Sequence, residues 1–142
     1  MKIWITGGAG MVGSALVSQL RSQGSSDLVF PSSRQLDLLD ALQVAAFVEK
    51  EKPDIVFHCA AKVGGLGSNL NNHPSMYEDN VLINTNVITA CKKIMVKKIV
   101  AMGTGAVYPE RAIGVFYKES MILEDEPHAS EQGYAKAKRE MY

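Results

Sequence analysis

Four short apolar runs, at residues 2–6, 27–30, 54–58 and 97–102, are each followed by a glycine-rich or polar break. Between them lie longer stretches whose apolar residues recur every three or four positions. Met11, Val12, Ala15, Leu16 and Leu20 are spaced this way, with Gly24 as a stop signal. A second such stretch starts at Asp40 and runs to about Glu51, with Leu42, Ala45, Ala46 and Phe47 expected inward. A third covers residues 74–94 and places Met76, Asn80, Ile83, Asn84, Val87, Ala90 and Cys91 on related faces. A fourth covers residues 131–142. Runs of four to six predict strands and the periodic stretches predict helices. The third run is apolar along its length, as in a strand covered on both faces. Residues 64–72, rich in Gly, Ser and Asn, read as a loop, and residues 109–127 show no period and are expected over the surface. The strand–helix alternation predicts a parallel α/β sheet with right-handed crossovers, in the spatial order 3-2-1-4.

The first break carries chemistry. Ile3-Trp4-Ile5-Thr6 runs into Gly7-Gly8-Ala9-Gly10-Met11-Val12-Gly13. Gly8, Gly10 and Gly13 fit GxGxxG; Gly7, Gly10 and Gly13 fit GxxGxxG. Set between a strand and a helix, such a turn lets backbone approach a pyrophosphate and aims the helix N-terminus at it. The reading is a Rossmann-type doubly wound sheet, residues 1–142 forming one NAD(P)-binding domain. Ligands of such sheets lie at the carboxyl ends of the strands. The segments 7–13, 32–34, 60–65 and 103–106 all fall there, with Met11, Val12, Ala60 and Ala61 among the expected coenzyme contacts.

NAD sites place a carboxylate about 20 residues past the glycines. Here the second strand ends in Ser32, Ser33 and Arg34, hydroxyls and a cation that suit a 2′-phosphate. NADP is therefore expected, with NAD the alternative and a solvated Arg34 the plain reading. Asp37 and Leu38 are candidates for the adenine; Asp37 and Asp40 are also plausible helix starters. Lys62 is read toward coenzyme or substrate phosphates, or toward solvent. Asn86 is read as a brace for a neighbouring strand exit, or as a surface amide.

Tyr134 and Lys138 are four apart on the last helix and share a face. A phenol ionises near pH 10, and a nearby ammonium is expected to draw it down toward working range. Lys138 would also hold the nicotinamide ribose. Thr104, at the mouth of the fourth strand, supplies a hydroxyl for a substrate carbonyl. These three form the candidate catalytic set.

With these residues the chain resembles the extended short-chain dehydrogenases/reductases of the sugar-nucleotide epimerase/dehydratase group, and within it the branch of the GDP-L-fucose synthases. The resemblance rests on GGAGMVGSAL, LDLLD, KPDIVFHCAAKVGGLGSN, YEDNVLINTNVITAC, VKKIV, VYPE and YAKAK, which cover nearly the whole chain. It implies Tyr134 as acid–base, Lys138 as its partner and Thr104 at the catalytic Ser/Thr position. It implies an NADP-dependent oxidoreductase reducing, with epimerising as a further option, a 4-keto-6-deoxy nucleotide sugar such as GDP-4-keto-6-deoxymannose. The alternatives are a UDP- or dTDP-sugar 4-epimerase or dehydratase with retained NAD, and a dinucleotide-binding module without turnover. Ala106 stands where the branch has a cysteine that serves epimerisation, so reduction is expected without that route to epimerisation. The group's proteins are about twice this length, so an N-terminal part is expected, with the substrate-binding part absent and weak or no activity by itself. Homodimerisation through the helices at 74–94 and 131–142 is a further implication.

Composition narrows the rest. Fifteen basic and fifteen acidic residues give zero net charge, which argues against a nucleic-acid or anionic-membrane surface. Two cysteines, Cys59 and Cys91, form no CxxC and fit a reducing, cytoplasmic setting as small core residues. Met1-Lys2 leads straight into the first strand, so no signal peptide is expected, and no run reaches membrane-spanning length. His58, Cys59, His73 and His128 lack ligand spacing, and no metal is expected. Lys92, Lys93, Lys97 and Lys98 read as a solvated face.

Overall fold

The computed structural model describes residues 1–64, 73–110 and 116–142. Most of the glycine- and asparagine-rich stretch read as a loop, and part of the aperiodic stretch after Pro109, lie outside these residues. The chain divides into two compact units: Met1–Ala61 with Leu82–Met102, and Lys62–Val81 with Gly103–Tyr142.

The first unit is a parallel sheet of β1 (Ile3–Thr6), β2 (Leu28–Val29), β3 (Ile55–His58) and β4 (Lys98–Ala101). It carries helices α1 (Met11–Ser22) and α2 (Ala41–Glu51), and the C-terminal part of α3 (His73–Lys93). The fold is Rossmann-like, as the alternation predicts. The strand order is β2-β1-β3-β4 rather than 3-2-1-4. β2 is only two residues long, hemmed by Ser25, Ser26 and Asp27 before it and Pro31 after it. Such a strand serves as an edge. β3 is four residues long and pairs on both sides, with β1 from Ile3↔Ile55 to Thr6↔His58 and with β4 from Ile55↔Lys98 to His58↔Ala101. The crossover through α2 therefore passes β1, and the switch point falls between β1 and β3.

Side-chain alternation splits the core into two layers. Ile3 and Ile5 pack with Val17, Leu16, Leu20, Ile55 and Phe57. Trp4 and Val56 pack with Val44, Val48, Val87 and Cys91, and the Trp4 ring meets Phe47 at 5.1 Å between centroids. Burial pushes the Cys91 thiol up to about 11, so it packs as a neutral group, while Cys59 is half-buried. The inward face of α2 is Val44, Phe47 and Val48; Leu42 and Ala46, expected inward, are exposed because they lie opposite that stripe. On α1, Gly13 and Val17 are buried, while Met11 and Val12 at its start are exposed. Lys93 and Lys97 are not purely solvated: they pair with Glu49 at 2.8 Å and Asp54 at 2.6 Å.

The second unit contains the N-terminal part of α3 and α4 (Gln132–Arg139). It also has 3₁₀ turns at Gly105–Val107, Glu119–Leu123 and Ala129–Glu131. Among the described residues no helix is long and apolar enough to cross a membrane.

Met95, just past α3, holds φ 54° with its side chain 85% exposed. A left-handed non-glycine residue costs about 1 kcal/mol, and this side chain has little packing to lose. Met95→Gly is expected to raise the unfolding free energy by about 0.5–1 kcal/mol. Urea denaturation checks this; a lower midpoint contradicts it.

Candidate functional site

In the first unit the turn after β1 is shaped by exclusion. Gly7 has φ +65°, and a Cβ on it would lie 2.9 Å from the Ala60 backbone. A Cβ on Gly13 would lie 2.2 Å from the Gly7 carbonyl oxygen. The turn closes through Gly10 N–H donating to Gly7 O at 2.9 Å. α1 then begins at Gly10 with no side-chain cap and no acidic residue in its first turn. The contrast with α2 is direct: there Asp40 accepts from Leu42 N at 2.9 Å and Gln43 N at 3.0 Å. The first N–H groups of α1 thus have no side-chain acceptor, which is the donor arrangement an external anion takes. Asp40 is the helix starter that the sequence suggests, and Asp37 caps its own turn by accepting from Leu39 N at 2.9 Å.

Behind this turn runs a buried polar chain that sequence reading missed. Ala60 N donates to Thr6 Oγ1 at 3.0 Å, Thr6 Oγ1 meets His58 Nδ1 at 2.8 Å, and His58 Nε2 meets Asn84 Oδ1 at 3.0 Å. Thr6 donating to a bare Nδ1 leaves Nε2–H for the Asn84 carbonyl, which satisfies every link with a neutral imidazole. The polar residues Thr6, His58 and Asn84 inside apolar runs were the available signal. Ser33 and Arg34 are exposed on the loop after β2, Leu38 is half-buried, and Asn86 donates to the carbonyls of Leu38 and Leu39. Asn86 is a brace, though on the turn leading into α2 rather than on a strand exit.

In the second unit the Tyr134 hydroxyl is hydrogen-bonded to Thr104. The Thr104 oxygen also accepts from Ala106 N at 3.3 Å. Lys138 is 1% exposed, and its Nζ lies 5.9 Å from the Tyr134 ring centroid. The Lys138 nitrogen lies over the ring, and the expected downward shift of the phenol is not found. Burial raises the Tyr134 pKa above its ordinary value, the Thr104 bond lowers it less, and Glu131 raises it further. The resting group is a phenol, suited to giving a proton. Lys62 pairs with Asp79, and its backbone is clamped by Asn80, which accepts from Lys62 N at 2.9 Å and donates to Lys62 O at 2.7 Å. Gly133 is a further missed residue. A Cβ there would lie 2.3 Å from the His73 carbonyl oxygen, so only glycine lets α4 seat against the start of α3. A glycine inside a helix next to a candidate tyrosine was the signal. Among the described residues no three His, Cys, Asp or Glu side chains gather to hold a metal.

A Rossmann-like sheet with an uncapped glycine turn, and a tyrosine–threonine–lysine cluster, define a nucleotide-binding class of α/β protein. Residues 3–142 match the NAD dependent epimerase/dehydratase family, and the chain belongs to it. It is 33% identical over 138 residues to the GDP-L-colitose synthase of Yersinia pseudotuberculosis, covering 97% of this chain and 44% of that one. It is 38% identical over 138 residues to GDP-L-fucose synthase 1 of Arabidopsis thaliana, covering 96% and 42%. Among solved structures it matches the Campylobacter jejuni GDP-mannoheptose C4 reductase with NADP bound at TM-score 0.92 and 33% identity, covering 98% and 44%. The chain spans less than half the length of these relatives.

The raised Tyr134 pKa has a signed consequence. The folded chain holds this proton more tightly than the unfolded one, so the contribution is level below about pH 10 and stability falls as pH rises beyond it. Tyr134→Phe is expected to flatten that part of the alkaline decline. Thermal melts between pH 9 and 11 check this; an unchanged slope contradicts it.

Proposed function

We propose that the chain carries the coenzyme site and the proton-transfer group of an NADP-dependent reductase acting on a 4-keto nucleotide sugar, of the GDP-linked kind. The observation that carries the reading is the hydrogen bond between the Thr104 hydroxyl and Tyr134 beside a buried Lys138. Its support on the coenzyme side is the uncapped α1 turn, where Gly7 and Gly13 leave no room for a Cβ against the neighbouring backbone. The similarity to sugar-nucleotide reductases and synthases points the same way.

The diphosphate would sit on the N–H groups of Met11, Val12 and Gly13, against Gly7, Gly10 and the Ala60–Ala61 backbone. Ser33 and Arg34 would take the 2′-phosphate, and Asp37 with Leu38 the adenine. Bound there, a reduced nicotinamide dinucleotide supplies a hydride to the carbonyl carbon. The chain's own work is on the oxygen. Thr104 donates to the Tyr134 oxygen, which leaves the phenol proton for the substrate carbonyl. As the alkoxide forms, Tyr134 gives up that proton, and Thr104 and the Lys138 ammonium stabilise the phenolate left behind. Lys62, held by Asp79 and Asn80, is a candidate for substrate phosphate only if a stronger anion displaces Asp79. Ala106, half-buried after Thr104, exchanges no proton, so the reading is reduction without epimerisation by this segment.

Tyr134→Phe is expected to lower kcat for a GDP-4-keto-6-deoxy sugar by about a hundredfold to ten-thousandfold in the full-length protein. The Kd for NADPH should stay within about threefold. Stopped-flow absorbance and fluorescence titration check both; retained turnover removes Tyr134 from its role. Loss of NADPH binding shows that Tyr134 supports the coenzyme site instead.

A further inference from the structure

We infer that Asn86 is a positioning residue that sets the preference of the coenzyme site for a 2′-phosphate, by fixing the loop that carries Ser33, Arg34 and Asp37; the inference rests on the coenzyme reading above. That loop is built from local turns. Gln35 N and Leu36 N donate to Ser32 O at 2.9 and 3.0 Å, and the Gln35 side chain accepts from Ser32 N and Oγ at 2.9 Å. Leu39 N donates to the Asp37 carboxylate at 2.9 Å, and Asp40 N to Asp37 O at 3.2 Å. Bonds of this range shape each turn but do not fix the loop against the sheet.

Long-range attachments do, among them the packing of Leu38 against the core and the following two. Leu36 is buried in the core with Trp4 and Val87. Asn86 Nδ2 donates to Leu38 O at 2.9 Å and to Leu39 O at 3.2 Å, across 48 and 47 residues of sequence. Asn86 lies in the part of α3 that belongs to the first unit, next to Val87, which is fully buried in that core. The helix is thus a fixed reference, and the amide passes its position to the loop. A guanidinium on a long exposed side chain gains from a phosphate only when its backbone is already placed. The glycine turn handles the pyrophosphate that both coenzymes share; the loop handles the ribose that distinguishes them. Loosening the loop should therefore weaken NADPH more than NADH.

Asn86→Asp keeps the shape, removes both N–H donors and sets an oxygen against two carbonyls. It is expected to weaken NADPH by about tenfold and NADH by less than about threefold, as two lost hydrogen bonds imply. Asn86→Ala should fall between it and the unaltered protein. Fluorescence titration with each coenzyme reads the ratio. An unchanged ratio in both variants overturns the role of Asn86 while the coenzyme reading stands, because the unaltered protein still binds. No binding of either coenzyme by the unaltered protein overturns both. Should the variants fail to fold, the Asn86 side-chain amide resonance of the unaltered protein decides. It is expected to shift with adenosine 2′,5′-bisphosphate and not with 5′-AMP, and equal behaviour with the two overturns the inference.

Discussion

Contact distance governs the turn after β1. Gly13 sits where a methyl group would come within 2.2 Å of the Gly7 carbonyl oxygen, and a methyl group on Gly7, which holds a left-handed φ, would lie 2.9 Å from the Ala60 backbone. The N-cap of α1 is Gly10, which has no side chain to offer, so the first N–H groups of α1 have no side-chain acceptor. Elsewhere in the same unit the chain satisfies such groups with Asp40. That difference in capping between two helices of one sheet is what supports the proposed anion site at the glycine-rich bend. The β3 exit is part of that constraint: Thr6 takes the Ala60 N–H and is itself held by His58 and Asn84, so the distance between the two strand ends is fixed from behind.

The second unit has a different logic. In the proposed reading its chemistry depends on a phenol whose pKa burial raises, a hydroxyl bonded to the phenol oxygen, and a buried Lys138 over the ring. A lowered resting pKa is not required for a group that gives its proton away; what matters is stabilising the phenolate once it forms. Gly133 serves this arrangement by letting α4 lie against His73, much as Gly13 serves the turn.

The parts most legible in the sequence were those set by local rules. Glycine spacing placed the turn, Asp40 placed the start of α2, and the buried face of α3 from Met76 to Cys91 followed its period. Strand order was not legible, because it depends on which strand can be paired on both sides. The two-residue length of β2 emerges only once β1 has chosen its partners. The face of α2 was misjudged for Leu42 because the first turn of a helix can expose an apolar residue at little cost. Tyr134's pKa was misjudged because the i, i+4 rule puts Lys138 on the same face without showing how far burial of the phenol raises it. The brace of Asn86 and the clamp of Asn80 on Lys62 join residues too far apart in sequence for spacing to show.

The central claim is that the glycine turn grips the diphosphate of a redox coenzyme. Titration of Gly13→Ala with NADPH, beside the unaltered protein, tests it most directly, with the near-ultraviolet signal of the buried Trp4 as the control for folding. The account predicts saturable binding by the unaltered protein and none by the variant while the Trp4 signal persists. A variant that binds NADPH within about threefold of the unaltered protein would contradict it.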